Sequence, residues 1–215
     1  MSPKVLLRKT SLVDYPGRIS SVLFFPGCNL RCPWCHNREL VTGEAEGTIT
    51  LEKALAHINM RKAVLGAVVL SGGEPCLWDG LPSLIEEIKK IPLPVKIDTN
   101  GMFPDLLKKL FRREETRPDY IAMDLKLAPS RYTGLLIKGA HPLNPAEALI
   151  QSAELIRSSG IEHEFRSLEL PGGYFTEEDR KALAPLAAGS PWHFRPFRGG
   201  NCLDPAWNEM ANIDS

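Results

Sequence analysis

Three cysteines within eight residues are the part of this chain best suited to chemistry. Cys28, Cys32 and Cys35 lie in the segment Gly-Cys-Asn-Leu-Arg-Cys-Pro-Trp-Cys-His-Asn. Thiolates so close in sequence can bind one soft metal centre from a single loop. A cubane iron–sulfur cluster has four irons, so three thiolates leave one iron free to bind another molecule. The spacing therefore favours an iron–sulfur cluster with one open coordination position.

Two other interpretations of the cysteines stay open. A structural zinc loop normally has four ligands, and the sequence offers no second Cys-x-x-Cys pair and no His-x-x-x-His pair. His36 could be a fourth ligand, although its position next to Cys35 would strain the geometry. An ordinary four-cysteine cluster would instead need Cys76 or Cys202 as the fourth ligand.

A glycine-rich segment and two carboxylates form a second group of residues suited to chemistry. Gly72, Gly73 and Glu74 follow an apolar run. The two glycines allow the backbone to approach a ligand closely, and the carboxylate after them could bind an ammonium group. Asp98 and Asp124 each end another apolar run. Their carboxylates suit an acid–base pair, a hard-cation site or two solvated strand ends.

Three nearby residues extend these possibilities. Thr99 and neighbouring carbonyl groups could complete a cation site, whereas Lys126 could neutralise an anion. Trp34 lies between two of the cysteines. Its ring either packs the loop or offers a flat surface to a nucleobase.

Apolar runs that alternate with amphipathic stretches predict the elements that position these residues. The predicted strands are Ser20–Phe25, Ala67–Ser71, Val95–Thr99, Tyr120–Asp124, Glu164–Leu170 and Trp192–Phe197. The predicted helices are Leu51–Val64, Gly80–Lys90, Pro104–Arg113, Pro145–Ser159 and Thr176–Ala187. Regular alternation of strand and helix indicates right-handed crossovers and a parallel sheet. We expect an α/β fold, a partial (β/α)6 barrel of the TIM type, with a doubly wound sheet as the alternative.

The polar residues named above follow the C-terminal ends of predicted strands. Active sites of βα-barrels are built at that end, so we expect one site there. At the start of the last helix, Thr176 is the predicted N-cap. Asp179 stands three residues later, where a capping box has Glu or Gln, so no capping box is expected.

Composition limits the class of protein. The chain has 215 residues, 43% of them apolar and 24% charged, and its formal net charge is zero. We expect one domain over residues 1–215. The balanced charge argues against a broad nucleic-acid interface, and no apolar run is long enough for a signal peptide or a membrane span. We therefore expect a cytoplasmic protein with reduced thiols.

The motifs together resemble the radical S-adenosylmethionine superfamily. The likeness lies in Cys-x-x-x-Cys-x-x-Cys with an aromatic before the last cysteine, followed one unit later by Gly-Gly-Glu-Pro. Within it, Thr-Ser-Leu-Val-Asp-Tyr-Pro-Gly-Arg ahead of the cysteine segment is similar to glycyl-radical activating enzymes, above all those of anaerobic ribonucleoside-triphosphate reductase. Asp-Thr-Asn-Gly and Asp-Leu-Lys are shared with the activating enzyme of pyruvate formate-lyase.

The resemblance implies two cofactors and their ligands. Cys28, Cys32 and Cys35 would bind three irons of a [4Fe–4S] cluster, and S-adenosylmethionine would chelate the fourth iron. Gly72, Gly73 and Glu74 would meet the methionyl ammonium, and the backbone of Trp34, Cys35 and His36 would flank the adenine. Asp98 and Asp124, with oxygens from Thr99 and Met123, would bind a monovalent cation beside the methionyl carboxylate. Lys126 would lie close by, and Arg198 is the candidate for the ribose.

The resemblance also implies the reaction and the partners. A flavodoxin or ferredoxin-type donor would reduce the cluster, and the cofactors would yield a 5′-deoxyadenosyl radical that takes a hydrogen atom from a glycine of a partner enzyme. No side chain is assigned a catalytic role, because the cofactors carry the radical. Only 36 residues separate Cys35 from Gly72, so we expect one cluster, with Cys76 and Cys202 as bystanders. The alternatives are activation of a pyruvate formate-lyase-like protein, a radical enzyme acting on a small molecule or RNA, and a non-catalytic electron-transfer or zinc module.

Overall fold

One seven-stranded sheet organises the chain in the computed structural model, which describes residues 3–137 and 144–210. Its strands are β1 (Leu6–Tyr15), β2 (Arg18–Phe25), β3 (Ala67–Gly72), β4 (Val95–Thr99), β5 (Tyr120–Asp124), β6 (Glu162–Glu169) and β7 (Trp192–Pro196). They lie in the sheet in sequence order, and β2 to β7 pair in parallel. Over the described residues, β1 and β7 are the two edges of a curled sheet. The prediction of a partial TIM-type barrel is confirmed.

Helices connect the parallel strands, as predicted. They are α1 (Arg38–Thr42), α2 (Leu51–Met60), α3 (Leu81–Lys89), α4 (Pro104–Phe111), α5 (Pro145–Ser158), α6 (Glu177–Ala187) and α7 (Trp207–Met210). Two 3₁₀ segments, Pro75–Leu77 and Pro129–Leu135, follow β3 and β5. The helix predicted to reach Val64 ends at Met60, because the chain turns after it. Within the part of the chain described, no helix is long and apolar enough to cross a membrane.

The first strand was not predicted. β1 pairs with β2 in antiparallel fashion, from Leu6 opposite Phe24 to Tyr15 opposite Arg18. Its alternation of apolar and polar residues is broken, because the register shifts twice along the strand. Gly17, at a φ of +68°, makes the turn of the hairpin. The β1–β2 hairpin therefore adds an antiparallel edge to an otherwise parallel sheet.

The two faces of the sheet are buried differently. On β3, Val68 and Leu70 belong to the main core, which also contains helix residues such as Ile58 and Ile85. Val69 lies between these two residues in the strand, so its side chain is on the opposite face, where it belongs to a much smaller apolar cluster. Only a few apolar side chains fill that inner face, which leaves space for polar residues at the C-terminal ends of the strands.

A buried aspartate fixes the start of α6, contrary to the prediction. Thr176 is the N-cap, and the Asp179 carboxylate accepts a hydrogen bond from the Thr176 backbone N–H at 2.9 Å, which completes a capping box. Aspartate does here what Glu or Gln does in the usual motif. The same carboxylate accepts from the Ala128 N–H at 2.6 Å and from Arg131. Asp179 thus joins α6 to the segment that follows β5.

Candidate cluster and cofactor site

A cavity of about 490 Å³ lies at the C-terminal ends of the parallel strands. Eleven of the fourteen residues predicted for the site line it: Cys28, Cys32, Trp34, Cys35, His36, Gly72, Gly73, Asp98, Thr99, Asp124 and Lys126. Arg8 and Asp14 of the β1–β2 hairpin line it as well. The fold thus brings together residues that are distant in sequence. Glu74, Met123 and Arg198 are not among the lining residues.

The cysteine loop, residues 26–37, leads from β2 to α1. A hydrogen bond from the Cys35 N–H to the Cys32 carbonyl, at 3.0 Å, closes a turn within it. All three thiols are free, and Cys32 is buried while the other two are half-buried. Burial raises the pKa of Cys28 to about 11 and that of Cys32 to about 12. Both thiols therefore lose a proton when they bind a metal, since thiolates are the ligands.

The ring of Trp34 packs against two other aromatic rings. Its ring is 3% exposed and lies 5.3 Å from the rings of Tyr174 and Trp207. Trp34 also lines the cavity, so the interpretation of its ring as a surface for a nucleobase stays a prediction. Beside it, the His36 ring stacks on Phe197 at 5.6 Å. His36 lines the cavity, so this stacking holds one wall in place.

Backbone hydrogen bonds from a distant segment support the cysteine loop. The Leu203 N–H donates to the Cys35 carbonyl and the Asp204 N–H to the Pro33 carbonyl, both at 2.9 Å. Neither Cys76 nor Cys202 is among the residues that line the cavity, and both are buried. Among the described residues, no group of three or more His, Cys, Asp or Glu side chains is placed so that it could hold a single metal ion.

The glycine loop, Gly72 to Glu74, packs directly on the chain that enters the cysteine loop. The Gly73 N–H donates to the Phe25 carbonyl at 2.8 Å, and the Glu74 N–H donates to the Gly27 carbonyl at 2.9 Å. A Cβ at Gly73 would lie 1.8 Å from the Gly27 oxygen, and one at Gly72 would lie 2.4 Å from the Phe25 nitrogen. The protein's own backbone therefore requires both glycines.

The Glu74 side chain is buried and does not line the cavity, and its predicted contact with an ammonium group stays a prediction. The side chain is 1% exposed, and its carboxylate accepts from the Cys76 N–H at 3.0 Å, from Thr99 Oγ1 at 2.9 Å and from the Asn100 N–H at 2.7 Å. Burial raises the pKa of Glu74, whereas the three donors favour its charged form. The carboxylate thus joins the glycine loop to the segment after β4.

Replacing Glu74 tests whether its carboxylate holds the glycine loop to the segment after β4. Glu74→Gln is expected to lower the free energy of unfolding by about 1–3 kcal/mol, because an amide nitrogen would then face a buried donor. Glu74→Ala should cost more, since it removes the acceptor of all three donors. The measurement is urea unfolding under anaerobic conditions, with the exposed Glu46→Gln as the matched control. Equal stability of the Glu74→Gln and Glu46→Gln proteins would contradict the role.

A row of alternating charges lies at the floor of the cavity, and all of its members except Lys96 line the cavity itself. Lys96 Nζ lies 2.7 Å from Asp98 Oδ1, and Arg166 Nη1 lies 3.4 Å from the same oxygen. Arg166 Nε lies 3.0 Å from Asp124 Oδ1, and Lys126 Nζ lies 3.1 Å from Asp124 Oδ2. We call these five residues the charge row. Burial alone would raise the pKa of Asp124, but Arg166 and Lys126 hold it well below its usual range.

The predicted cation site coincides with this row. The carboxylates of Asp98 and Asp124 already face three cationic side chains, and Thr99 Oγ1 donates to Glu74. Met123 is buried opposite Thr99 in the β4–β5 register. A bound cation would have to compete with the resident lysines and arginine. The cation site stays a prediction.

Two features of the site were not predicted from the sequence. Lys96 is 2% exposed and donates to the Asp14 carbonyl at 2.7 Å, which ties the β1–β2 hairpin to the floor of the cavity. Predicting this contact needs β1, which was not recognised. Both Arg195 and Arg198 are exposed, but only Arg195 of the two lines the cavity. Alternation along β7 could have favoured Arg195, since it precedes the end of the strand.

Lys96→Met is expected to loosen the hairpin. It removes a buried cation from Asp98 and a donor from the Asp14 carbonyl, so the free energy of unfolding should fall by about 3 kcal/mol. Amide hydrogen exchange should also become faster at residues 13–17 than in the remainder of the sheet. Lys90→Met is the control, because the Lys90 side chain is 64% exposed. Unchanged exchange in the hairpin would show that Lys96 does not anchor it.

Comparison with known families matches residues 22–187 to the Radical SAM superfamily. That segment covers most of the chain and contains the cysteine loop, the glycine loop and the charge row. The chain belongs to the radical SAM superfamily. Membership implies an enzyme that uses a [4Fe–4S] cluster and S-adenosylmethionine. The prediction from the sequence motifs is confirmed at this level.

Curated relatives of this radical SAM protein have several activities. A protein of Methanocaldococcus jannaschii, provisionally assigned as a glycyl-radical enzyme activating enzyme, is 37% identical over 57% of this chain and 49% of its own length. A pyruvate formate-lyase-activating enzyme of Listeria monocytogenes is 33% identical over 61% and 56%. A 7-carboxy-7-deazaguanine synthase of Hyperthermus butylicus is 36% identical over 42% and 38%. The chain thus aligns with about half, or less, of each relative's length.

Solved structures support the fold. The structure of native anSMEcpe with bound AdoMet has a TM-score of 0.62 and 17% identity, over 83% of this chain and 51% of that one. At this identity the likeness concerns the fold alone. It agrees with the partial barrel of the radical SAM chain described above.

Proposed function

We propose that this chain is an activating enzyme for a glycyl-radical enzyme. The observation that carries the proposal is one cavity lined by three free cysteines, by Gly72 and Gly73, and by four residues of the charge row, in a chain of the radical SAM superfamily. The relatives from Methanocaldococcus jannaschii and Listeria monocytogenes support activation of a glycyl-radical enzyme in particular. The chain would work in the cytoplasm, where thiols stay reduced.

The three cysteines would hold the cluster. Cys28, Cys32 and Cys35 line one side of the cavity, and no disulfide blocks them. Three thiolates leave one iron of a [4Fe–4S] cluster with an open position, which the amino and carboxylate groups of S-adenosylmethionine would fill. When bound, the two cofactors supply the radical chemistry, and the protein orients them.

The opposite side of the cavity suits the charges of S-adenosylmethionine. Arg166 and Lys126 of the charge row line this part of the cavity, and they would bind the methionyl carboxylate. Carbonyls of Gly72 and Gly73 would accept from the methionyl ammonium. The backbone of residues 34–36 would flank the adenine, and Arg195 replaces Arg198 as the candidate for the ribose.

The reacting glycine would enter on the side of the β1–β2 hairpin. The partial barrel has an open edge there, and Arg8 and Asp14 of the hairpin form that wall of the cavity. A glycine is accessible to hydrogen abstraction because its Cα carries no side chain. Anaerobic ribonucleoside-triphosphate reductase is the proposed partner, and a flavodoxin or ferredoxin-type protein the proposed electron donor.

Electron paramagnetic resonance tests this function. Reconstituted protein, reduced anaerobically and mixed with S-adenosylmethionine and the reductase, is expected to produce a glycyl-radical doublet and one methionine per radical. A reductase variant with alanine in place of the radical glycine is the control and should give no doublet. Cleavage of S-adenosylmethionine without any doublet would refute the activase assignment.

Two other substrates are distinguished by the same assay. A doublet with pyruvate formate-lyase but not with the reductase would identify the alternative partner, as the Listeria relative suggests. The 7-carboxy-7-deazaguanine synthase relative favours a small-molecule substrate as the second candidate. In that case 5′-deoxyadenosine would form with the small molecule alone, in the absence of any glycyl-radical enzyme.

A further inference from the structure

Two buried asparagines surround the thiol of Cys28. The Asn100 amide, Nδ2, donates to Asn29 Oδ1 at 2.8 Å and lies 3.7 Å from Cys28 Sγ. Cys28 Sγ also accepts from the Leu30 N–H at 3.4 Å. Asn29 is 1% exposed and Asn100 is 4% exposed. The sulfur therefore has two N–H donors, from Leu30 and Asn100, and one amide oxygen, Asn29 Oδ1, at 3.9 Å.

The orientation of the Asn100 amide is fixed. Its oxygen, Oδ1, accepts from the Met102 N–H at 3.0 Å, so its nitrogen has to point toward Cys28 and Asn29. The Asn100 backbone N–H is held in turn by Glu74 at 2.7 Å. Glu74, which joins the glycine loop to the segment after β4, thus also positions a donor beside the cysteine loop.

Asn29 carries a donor that the protein leaves without an acceptor. Its Nδ2 is buried and has no hydrogen-bond partner among the described residues. Such an unsatisfied buried donor costs about 1–3 kcal/mol, so its presence calls for an explanation. The adjoining residue is Cys28, the first of the three proposed cluster ligands. The Asn29 atom that faces Cys28 Sγ is Oδ1, at 3.9 Å, so Asn29 positions the Asn100 donor and does not itself donate to the sulfur.

We propose that the Asn100 amide, held in place by Asn29 Oδ1, donates to the Cys28 sulfur and raises the reduction potential of the cluster at its Cys28 corner. The inference rests on the proposed function, because it requires the [4Fe–4S] cluster. One electron from an external one-electron donor takes the cluster from the 2+ to the 1+ state and adds one negative charge. N–H donors at the sulfurs stabilise the more negative state, and hydrogen bonding is a known determinant of such potentials.

The test measures the midpoint potential of the cluster in the complete, reconstituted protein, without any partner enzyme. Asn100→Leu removes the amide donor from Cys28, with little change in volume and none in charge. Its potential is expected to be lower by about 59 mV, which for one electron is a tenfold shift in the redox equilibrium. Asn100→Ser is a second neutral variant, in case the leucine protein does not assemble a cluster. Asn59→Leu, an exposed change on α2, is the control.

A spectroscopic measurement separates hydrogen bonding from other causes. In the reduced wild-type protein, electron–nuclear double resonance should detect exchangeable protons coupled to the cluster, and the Asn100 variants should lose part of that coupling. A wild-type potential in the variants would overturn the proposal, as would a lower potential with all couplings retained. Failure of the wild-type protein to take up a cluster would instead refute the proposed function.

Discussion

Cys32→Ala is expected to reduce iron content and S-adenosylmethionine cleavage to background while the fold is retained. Two thiolates cannot hold a cubane in the three-cysteine arrangement, and Cys32 is the most buried of the three. The fold should survive because Cys32 lies in a loop outside the sheet, whose seven strands remain paired. Iron analysis, the charge-transfer absorption of the cluster and product detection measure the effect.

Cys202→Ala is the matched control. Cys202 is as buried as Cys32 but lies outside the residues that line the cavity. The variant should keep its iron and its cleavage activity. Loss of the cluster in a folded Cys202→Ala protein would favour the four-cysteine alternative. Cleavage activity in Cys32→Ala would refute the assignment of the ligands.

Gly73→Ala is expected to abolish S-adenosylmethionine binding and to lower the free energy of unfolding by about 1–3 kcal/mol. The added Cβ would lie 1.8 Å from the Gly27 oxygen, which belongs to the backbone and cannot move aside cheaply. The glycine loop would have to separate from the cysteine loop, and the hydrogen bond from Glu74 to Gly27 would break. The two halves of the proposed cofactor site would then be misaligned.

Gly134→Ala provides the matched control for that prediction. A Cβ at Gly134 would meet no atom within 4 Å, so the variant should bind S-adenosylmethionine like wild type. Equilibrium binding to the reconstituted proteins measures the first effect, and urea unfolding measures the second. Wild-type affinity in Gly73→Ala would show that the contact between the two loops does not position the cofactor.

Much of the parallel sheet could be predicted from the sequence. Its strands are continuous apolar runs that end in unusual polar residues, and parallel strands place those ends together. This is why Asp98, Asp124 and Lys126 could be assigned to one site before any contact was known. The cysteine and glycine motifs added the family.

What could not be predicted is which way each side chain points and which distant backbone it meets. Glu74 looks like a ligand in the sequence, but its buried carboxylate accepts from three donors of the protein itself. β1 was missed because its register shifts disrupt the strand pattern. Because β1 was not predicted, the hydrogen bond from Lys96 to the Asp14 carbonyl could not be inferred. Each of these depends on long-range packing.

The support of the cysteine loop by residues 203 and 204 has a consequence for biogenesis. The loop is made early, but the N–H groups that hold the Cys35 and Pro33 carbonyls, and the Trp207 ring that packs on Trp34, are translated almost last. On the ribosome, the loop therefore lacks its native support until synthesis of the described chain is nearly finished. Metal delivery should follow folding, and a scaffold that donates a preassembled cluster would recognise the completed barrel rather than the nascent chain.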